Sequence, residues 1–284
     1  MNTNKVKDIN HVGVWQAHLK KQRSPRVQAA MDRAVVTPEI CLEHARAEIA
    51  VNEKVHDTVS RTMKRALIFK EYLETRTITI REGELIVGNI NSKQRGSTIV
   101  GDLYANFMAA ELDHPVYDYS VRQFDRHIIS DEERKELRDV IIPYFKGKTM
   151  ADLIYSTEDE EIREYGFAVT SSCGEIPIFA DLMVYQDAGH MLTNFEKVLT
   201  IGLKGIREEA EHFREVNSRR YIHFEKKEKE DFYNAVILCL DAAIAHAHRY
   251  ADLAAEMAEK EEDETRKAEL MQISRVMHKV PENP

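Results

Sequence analysis

Apolar side chains recur along this chain with two periods, and the helical one dominates. From Glu228 to Met277 they return every three to four residues in Ala-rich, charge-laced text, the mark of amphipathic helix. That stretch is too long for one ordinary globular helix, so a turn is expected near Lys260–Thr265, with Pro281 and Pro284 ending the helical text. Residues 38–74 also read as one or two helices, with Thr37 as N-cap, Pro38 at the first helical position, and Ile49, Val55, Val59, Leu67 and Tyr72 following. Ser130-Asp131-Glu132-Glu133 and Thr193-Asn194-Phe195-Glu196 both have capping-box spacing. The first opens a helix whose apolar face is Leu137, Val140 and Ile141 and which Pro143 is expected to end. The second opens a helix carrying Val198, Ile201 and Ile206, where Gly202 and Gly205, three apart, permit close packing. A weaker helical signal spans Leu103–Leu112 within the loop-rich stretch 91–128.

The period of two is rarer. Thr77-Ile78-Thr79-Ile80-Arg81, the turn Glu82-Gly83 and the apolar run Glu84–Gly88 predict a β-hairpin. Between Gly166 and His190 the text becomes apolar and reads as a buried strand-to-loop segment. Residues 1–35 lack a sustained period and read as an N-terminal arm with a short helix. The expected class is therefore mostly α, with a β-hairpin and a few strands.

Composition agrees with that class: 11 Gly and 7 Pro in 284 residues favour long helices over a β-sandwich. Forty Lys plus Arg against 49 Asp plus Glu give a net charge of −9, which argues against nucleic-acid and acidic-membrane partners. Cys41, Cys173 and Cys239 are far apart and form no CxxC pair, so neither a disulfide framework nor a zinc knuckle is expected and a cytoplasmic location is the default. Neither a signal-peptide run nor an 18-residue apolar stretch occurs.

Candidate chemistry is sparse. Among 12 histidines there is no HExxH, and His246 and His248 lie two apart, on different sides of a helix, so no metal site is assigned. Gly147-Lys148-Thr149 copies the tail of a phosphate-binding loop but lacks the upstream glycine and follows helix rather than strand. Glu208, Glu209, Glu211 and the acidic run from Glu259 to Glu264 sit among Lys and Arg like a solvated helix face. Cys173, in a Ser-Ser-Cys-Gly turn, is either a reactive thiol or a small buried hydrophobe. His190, closing a loop before a capped helix, is either a hydrogen-bonding contact for a small polar substrate or a histidine satisfied by backbone.

Several stretches together resemble the N-terminal half of the glycyl radical enzymes, the pyruvate formate-lyase-like family. Cys41-Leu42-Glu43-His44-Ala45-Arg46 is similar to that family's early Cys-x-Glu-Arg-Ala helix, and Arg81-Glu82-Gly83-Glu84-Leu85-Ile86-Val87-Gly88-Asn89 to its Gly-Glu-Leu-Ile-Val-Gly-Asn hairpin. Gly189-His190, Asn194-Phe195-Glu196-Lys197-Val198-Leu199 and Gly202-Leu203-Lys204-Gly205-Ile206 resemble its Gly-His, Asp-Tyr-Glu-Lys-Val-Leu, Gly-Leu-x-Gly-Ile run. Arg249–Ala254 and Val280–Pro284 resemble helices leading into the middle of the family's barrel. His44 stands where Arg is usual, Asn194-Phe195 replaces Asp-Tyr, and Met277 falls where Cys is common.

The resemblance implies a fold: the N-terminal half of a ten-stranded α/β barrel, with residues 1–284 the N-terminal portion of a pyruvate formate-lyase-like domain. It also implies that the complete enzyme uses a glycyl radical installed by a radical S-adenosylmethionine activase, and a thiyl cysteine within a Gly-Cys-x-Glu loop. Neither that loop nor an Arg-Val-x-Gly-Tyr radical loop occurs in these residues, so no catalytic residue is assigned and no cofactor is expected on this chain alone. By the same resemblance His190 is a substrate contact, with Ser171, Ser172 and Cys173 lining the same cavity. The leading expectation is a fragment or split half of such an enzyme, silent alone and completed by a C-terminal half. The complete enzyme would be a lyase of anaerobic metabolism, acting by carbon–carbon cleavage as a formate acetyltransferase, by dehydration or by decarboxylation of a small molecule. The alternative is a non-catalytic helical interaction protein derived from that family, binding a full-length homologue or the activase.

Overall fold

A computed structural model of the protein describes residues 24–123, 125–156, 192–219 and 223–284. Met1–Val36 and Thr37–Pro284 form two units. In the first, helix α1 (Pro25–Ala34) begins under Ser24, whose hydroxyl accepts the Val27 N–H at 3.3 Å.

The second unit opens with a departure from the expected helix at Thr37-Pro38. Glu39–Cys41 is instead a strand, β1, paired in parallel with Gly96–Thr98, β2, so that Ile40 lies opposite Ser97. Ile40, Cys41 and Leu42 are all buried, and pairing plus burial outweigh the local start signal. Two helices then follow, α2 (Glu43–Val55) and α3 (Arg61–Thr75), the latter capped by the Ser60 hydroxyl.

A second correction concerns the expected hairpin at 77–88. The turn forms, with the Glu84 N–H donating to the Arg81 carbonyl at 3.1 Å, but its flanks do not pair as strands. Arginine side chains take the carbonyls that a ladder would have used. Arg266, from a later helix, donates to the carbonyls of Glu84 at 2.9 Å and Arg81 at 3.1 Å, and Arg81 to that of Lys93 at 2.6 Å. Ile78, Ile80 and Val87 turn inward into the core.

Helix α4 (Gly101–Glu111) falls where weak periodicity predicted it. Ser130 caps α5 (Asp131–Glu136) with both reciprocal bonds of the box in place. Pro143 does not end this helix, contrary to expectation. Leu137–Ile141 widens into a π-helical turn, and α6 (Ile142–Phe145) resumes with Pro143 in its first turn, where a missing N–H costs little. Leu137, Ile141 and Phe145, four apart, are fully buried. Helix α7 (Met150–Tyr155) begins at Thr149, which exchanges bonds with Asp152: the Asp152 N–H donates to the Thr149 hydroxyl at 3.1 Å and the Thr149 N–H to the carboxylate at 3.0 Å.

Helix α8 (Phe195–Ser218) is capped by Asn194 rather than Thr193, one residue later than expected, the carboxamide oxygen accepting the Lys197 N–H at 3.0 Å. Helices α9 (His223–Lys260) and α10 (Glu264–Lys279) divide at 261–263, and the Asp263 carboxylate caps the second. Among the described residues the class is mostly α, with two three-residue parallel strands.

Among the described residues three clusters form the core. Ile40, Leu42, Met108, Leu137, Ile141 and Phe145 join β1 to α4, α6 and the π-turn. Ile80, Tyr250, Ala254, Ala258, Leu270 and Ile273 seal α9 to α10 under the irregular tract. Ala47, Tyr72, Leu73 and Ala242 join α2, α3 and α9. The alanines let the α9 backbone approach its neighbours closely, so this one helix serves two clusters. No described helix is long and apolar enough to cross a membrane.

Candidate functional site

His190, Ser171, Ser172 and Cys173 lie outside the described residues, and so does the expected strand-to-loop segment that carries them. The described chain stops at Ser156, just after α7, and resumes at Leu192, ahead of the Asn194 cap of α8. Before α7, Thr149 is buried and also accepts from the Asn106 carboxamide at 2.9 Å.

Helix α8 is broken at Gly202, whose φ of 66° and ψ of 177° are far from helical. The break frees two N–H groups from the helix ladder, and the tail takes them: Leu203 donates to the Pro281 carbonyl at 2.9 Å and Lys204 to that of Glu282 at 3.0 Å. A Cβ on residue 202 would overlap the Glu282 carbonyl, so glycine is needed for space as well as for φ. The glycine spacing foretold a close approach; the partner is the tail backbone rather than a second helix.

A cleft of about 700 Å³ opens beside α7, lined among others by Glu48, Arg65, Asp102, Phe145, Leu153 and Ser156. At its base Glu48 is 1% exposed and accepts the Gly101 N–H at 2.6 Å, satisfying the start of α4. Burial pushes its carboxyl pKa up, and the neighbouring Asp102 carboxylate adds to this, while His44 opposes it. Arg65 pairs with Asp102 and stands 3.6 Å from Glu48. Gly101 leaves room for the Phe145 ring, which a Cβ would overlap. Cationic Arg61, Lys64, Arg65 and Lys148 balance the four carboxylates of this lining, Glu48, Asp57, Asp102 and Asp152. The arrangement holds α2, α3 and α4 in register and selects no charge of ligand.

Two further polar networks fix irregular backbone. Arg76 donates to the carbonyls of Asn89 and Ile90, Tyr72 shares the latter, and Arg249 donates to those of Leu73 and Arg76. His246 donates through Nδ1 to the Leu73 carbonyl at 3.0 Å; burial, with two arginines nearby, lowers its pKa to about 4. In the loop before α5, Arg122 is buried against Glu111 at 2.8 Å, and His127 Nε2 meets the Ser97 hydroxyl at 2.7 Å. Arg134 grips Asp118 through both guanidinium nitrogens at 2.5 and 2.8 Å, which holds that carboxyl far below the usual range.

Of the described cysteines, Cys41 closes β1 and is buried, which pushes its thiol up to about 11, and Cys239 is half-buried on α9. No group of three metal-ligating side chains converges among the described residues.

Sequence reasoning missed Glu48, Arg65, Asp102 and the arginine anchors. Glu48 had a legible signal: it lies on the same helical stripe as Ala45 and Val51, a carboxylate where an apolar residue was due. Arg76, Arg249 and Arg266 had none, since their partners are carbonyls up to 185 residues away in the chain.

The pyruvate formate lyase-like family model matches residues 15–284, and the chain belongs to that family. It is 34% identical over 251 residues to the (2S)-3-sulfopropanediol dehydratase of Klebsiella oxytoca, covering 87% of this chain and 29% of that protein. Its fold is similar to the B12-independent glycerol dehydratase of Clostridium butyricum, with a TM-score of 0.79 and 31% identity over 92% of this chain and 32% of that one. A structure of 1,2-propanediol dehydration in Roseburia inulinivorans gives a TM-score of 0.78 and 30% identity, covering 93% and 30%. The chain thus spans about 30% of the length of the relatives it matches.

Proposed function

We propose that this chain is the N-terminal portion of a glycyl radical dehydratase, one that removes water from a small substrate bearing neighbouring hydroxyl groups. The observation that carries the reading is the similarity, over 87–93% of the chain, to proteins whose names specify dehydration of sulfopropanediol, glycerol and propanediol. In this reading residues 1–284 form the first half of the family's ten-stranded barrel, residues 1–35 are an arm, and the enzyme is cytoplasmic.

Within such an enzyme the chain's own part is binding and positioning. His190 would hydrogen-bond a substrate hydroxyl, orienting the carbon–oxygen bond that breaks and holding a proton near the departing oxygen. Ser171, Ser172 and Cys173 would line the same cavity and help to exclude water. That assignment rests on the resemblance of Gly189-His190 and the helix after it to the family's text. A glycyl radical, installed by a radical S-adenosylmethionine activase, supplies the hydrogen abstraction. The residues that carry it and the thiyl sulfur belong to sequence other than these 284 residues, so this polypeptide alone is silent.

Electron spin resonance after anaerobic incubation with a family activase and S-adenosylmethionine tests the reading. The 284-residue chain is expected to give no glycyl doublet and no water elimination from glycerol or 1,2-propanediol. A doublet from the chain alone would refute the assignment. In a radical-bearing form containing this chain, His190→Ala is expected to lower kcat at least 100-fold while the doublet persists.

A further inference from the structure

The tail after α10 is held on three helices, and one of the three attachments can change its charge near neutral pH. On α10 the hold is backbone: the Val280 N–H donates to the Val276 carbonyl at 2.8 Å and the Asn283 N–H to that of Lys279 at 2.7 Å. On α8 it is backbone again, the Pro281 and Glu282 carbonyls taking the N–H groups of Leu203 and Lys204 beside the Gly202 break. On α9 it is a side-chain pair, with His248 Nε2 3.4 Å from the Glu282 carboxylate. Glu282 therefore grips α8 with its carbonyl and faces α9 with its carboxylate. The pair belongs to a cluster of four titratable groups. His278 of α10 lies beside His248, 5.5 Å between ring centroids, and its Nε2 is 3.6 Å from Asp252, one turn beyond His248 on α9. On α8 the charged residue that meets the tail is Lys204, through its backbone.

We infer that His248 and Glu282 form a proton-operated latch: a fall in pH through the histidine range tightens the tail on the Gly202 break and stiffens the kink of α8, and a rise loosens both. With both imidazoles neutral, the cluster holds two carboxylates and no cation. With both protonated, each carboxylate faces a cation at 3.4 or 3.6 Å, nearer than the 5.5 Å between the rings, so attraction outweighs the repulsion of the two histidines. Of the two pairs, only His248–Glu282 joins the tail to another element. Asp252 and His278 are each more than half exposed and join α9 to α10, which Tyr250, Ala254, Leu270 and Ile273 already seal. The charged pair exists only while the tail is docked, so by linkage the proton that creates it also holds the tail.

The test reads amide hydrogen exchange at pH 6 and pH 8, corrected for the intrinsic pH dependence of exchange. The Leu203 and Lys204 amides are expected to be about threefold more protected at pH 6, the size that a half-exposed ion pair supports, while amides late in α8 show no such ratio. His246, kept neutral across this interval by its pKa of about 4, adds nothing to it. His248→Gln and Glu282→Gln should each bring the ratio to one. His278→Gln should leave it at threefold or more, since it removes a neighbouring cation. Equal wild-type protection at the two pH values, a ratio shared by the late α8 amides, or a ratio unchanged in His248→Gln or Glu282→Gln would overturn the inference. So would loss of the ratio in His278→Gln, which would assign the response to the pair with Asp252.

Discussion

At the scale of single residues, the structure is held by charged groups recruited to satisfy backbone and each other. Glu48 is the clearest instance, because its carboxylate serves as the acceptor for the first N–H of α4. Glu48→Gln keeps an oxygen for that N–H and removes a costly buried charge, so it is expected to change stability by less than about 1 kcal/mol. Glu48→Ala leaves the buried Gly101 N–H without an acceptor and should cost about 2–3 kcal/mol, both read from urea midpoints. His246 gives a pH signature of definite sign. Its native pKa, about 4, lies below the unfolded value of 6.5, so the unfolded chain binds more protons between them and stability falls as pH drops through that window. His246→Gln, which can still donate to the Leu73 carbonyl without titrating, should flatten unfolding midpoints between pH 6.5 and 4. Asp118 acts lower on the scale. Depressed from 3.8 by Arg134, it contributes stability above that value and loses it as pH falls further, so Asp118→Asn should weaken the protein at pH 7 and flatten its acid limb.

At the scale of elements, the Gly202 break is the feature whose removal says most. Gly202→Ala must place an L side chain at φ 66° and push it against the Glu282 carbonyl. It is expected to cost about 2–4 kcal/mol and, in hydrogen exchange, to strip protection from the Leu203 and Lys204 amides while those late in α8 keep theirs. The same break shows what the sequence could and could not tell. Glycines three apart pointed to close helix packing, where the structure has a break that the distant tail fills, whereas the Ser130 box, the division of α9 from α10 and the helix 103–112 were legible because they depend on neighbours in the chain. The hairpin at 77–88 failed for the opposite reason. Its β-branched alternation is real, but Arg266, from a helix more than 180 residues later, takes the carbonyls of Arg81 and Glu84 at the turn, while Ile78, Ile80 and Val87 pack into the core. Pro143 misled because a π-turn, invisible to a 3.6-residue count, moved it into a fresh first turn. Of the candidate site, His190, Ser171, Ser172 and Cys173 rest on the resemblance to a family and lie outside the described residues, and Glu48 was legible only as a misplaced carboxylate.

At the scale of the molecule, α9 ties the second unit together. Its 38 residues carry Ala242 into the cluster with α2 and α3, and Tyr250, Ala254 and Ala258 into the cluster with α10, while Asp241 reaches Arg207 of α8 at 2.6 Å. Elements far apart in sequence therefore share one load, and none can leave without exposing apolar surface on this helix. Cooperative unfolding follows, even though the chain spans less than a third of its relatives. Tyr250, 1% exposed and edge-on to His246 at 5.3 Å between ring centroids, is the place to test it. Tyr250→Ala should cost about 3–5 kcal/mol by cavity formation, and far-ultraviolet ellipticity and tyrosine fluorescence should still fall along one superimposable urea curve. Two separated curves, with the α3–α9 contact outlasting the α9–α10 contact, would mean that the clusters are independent.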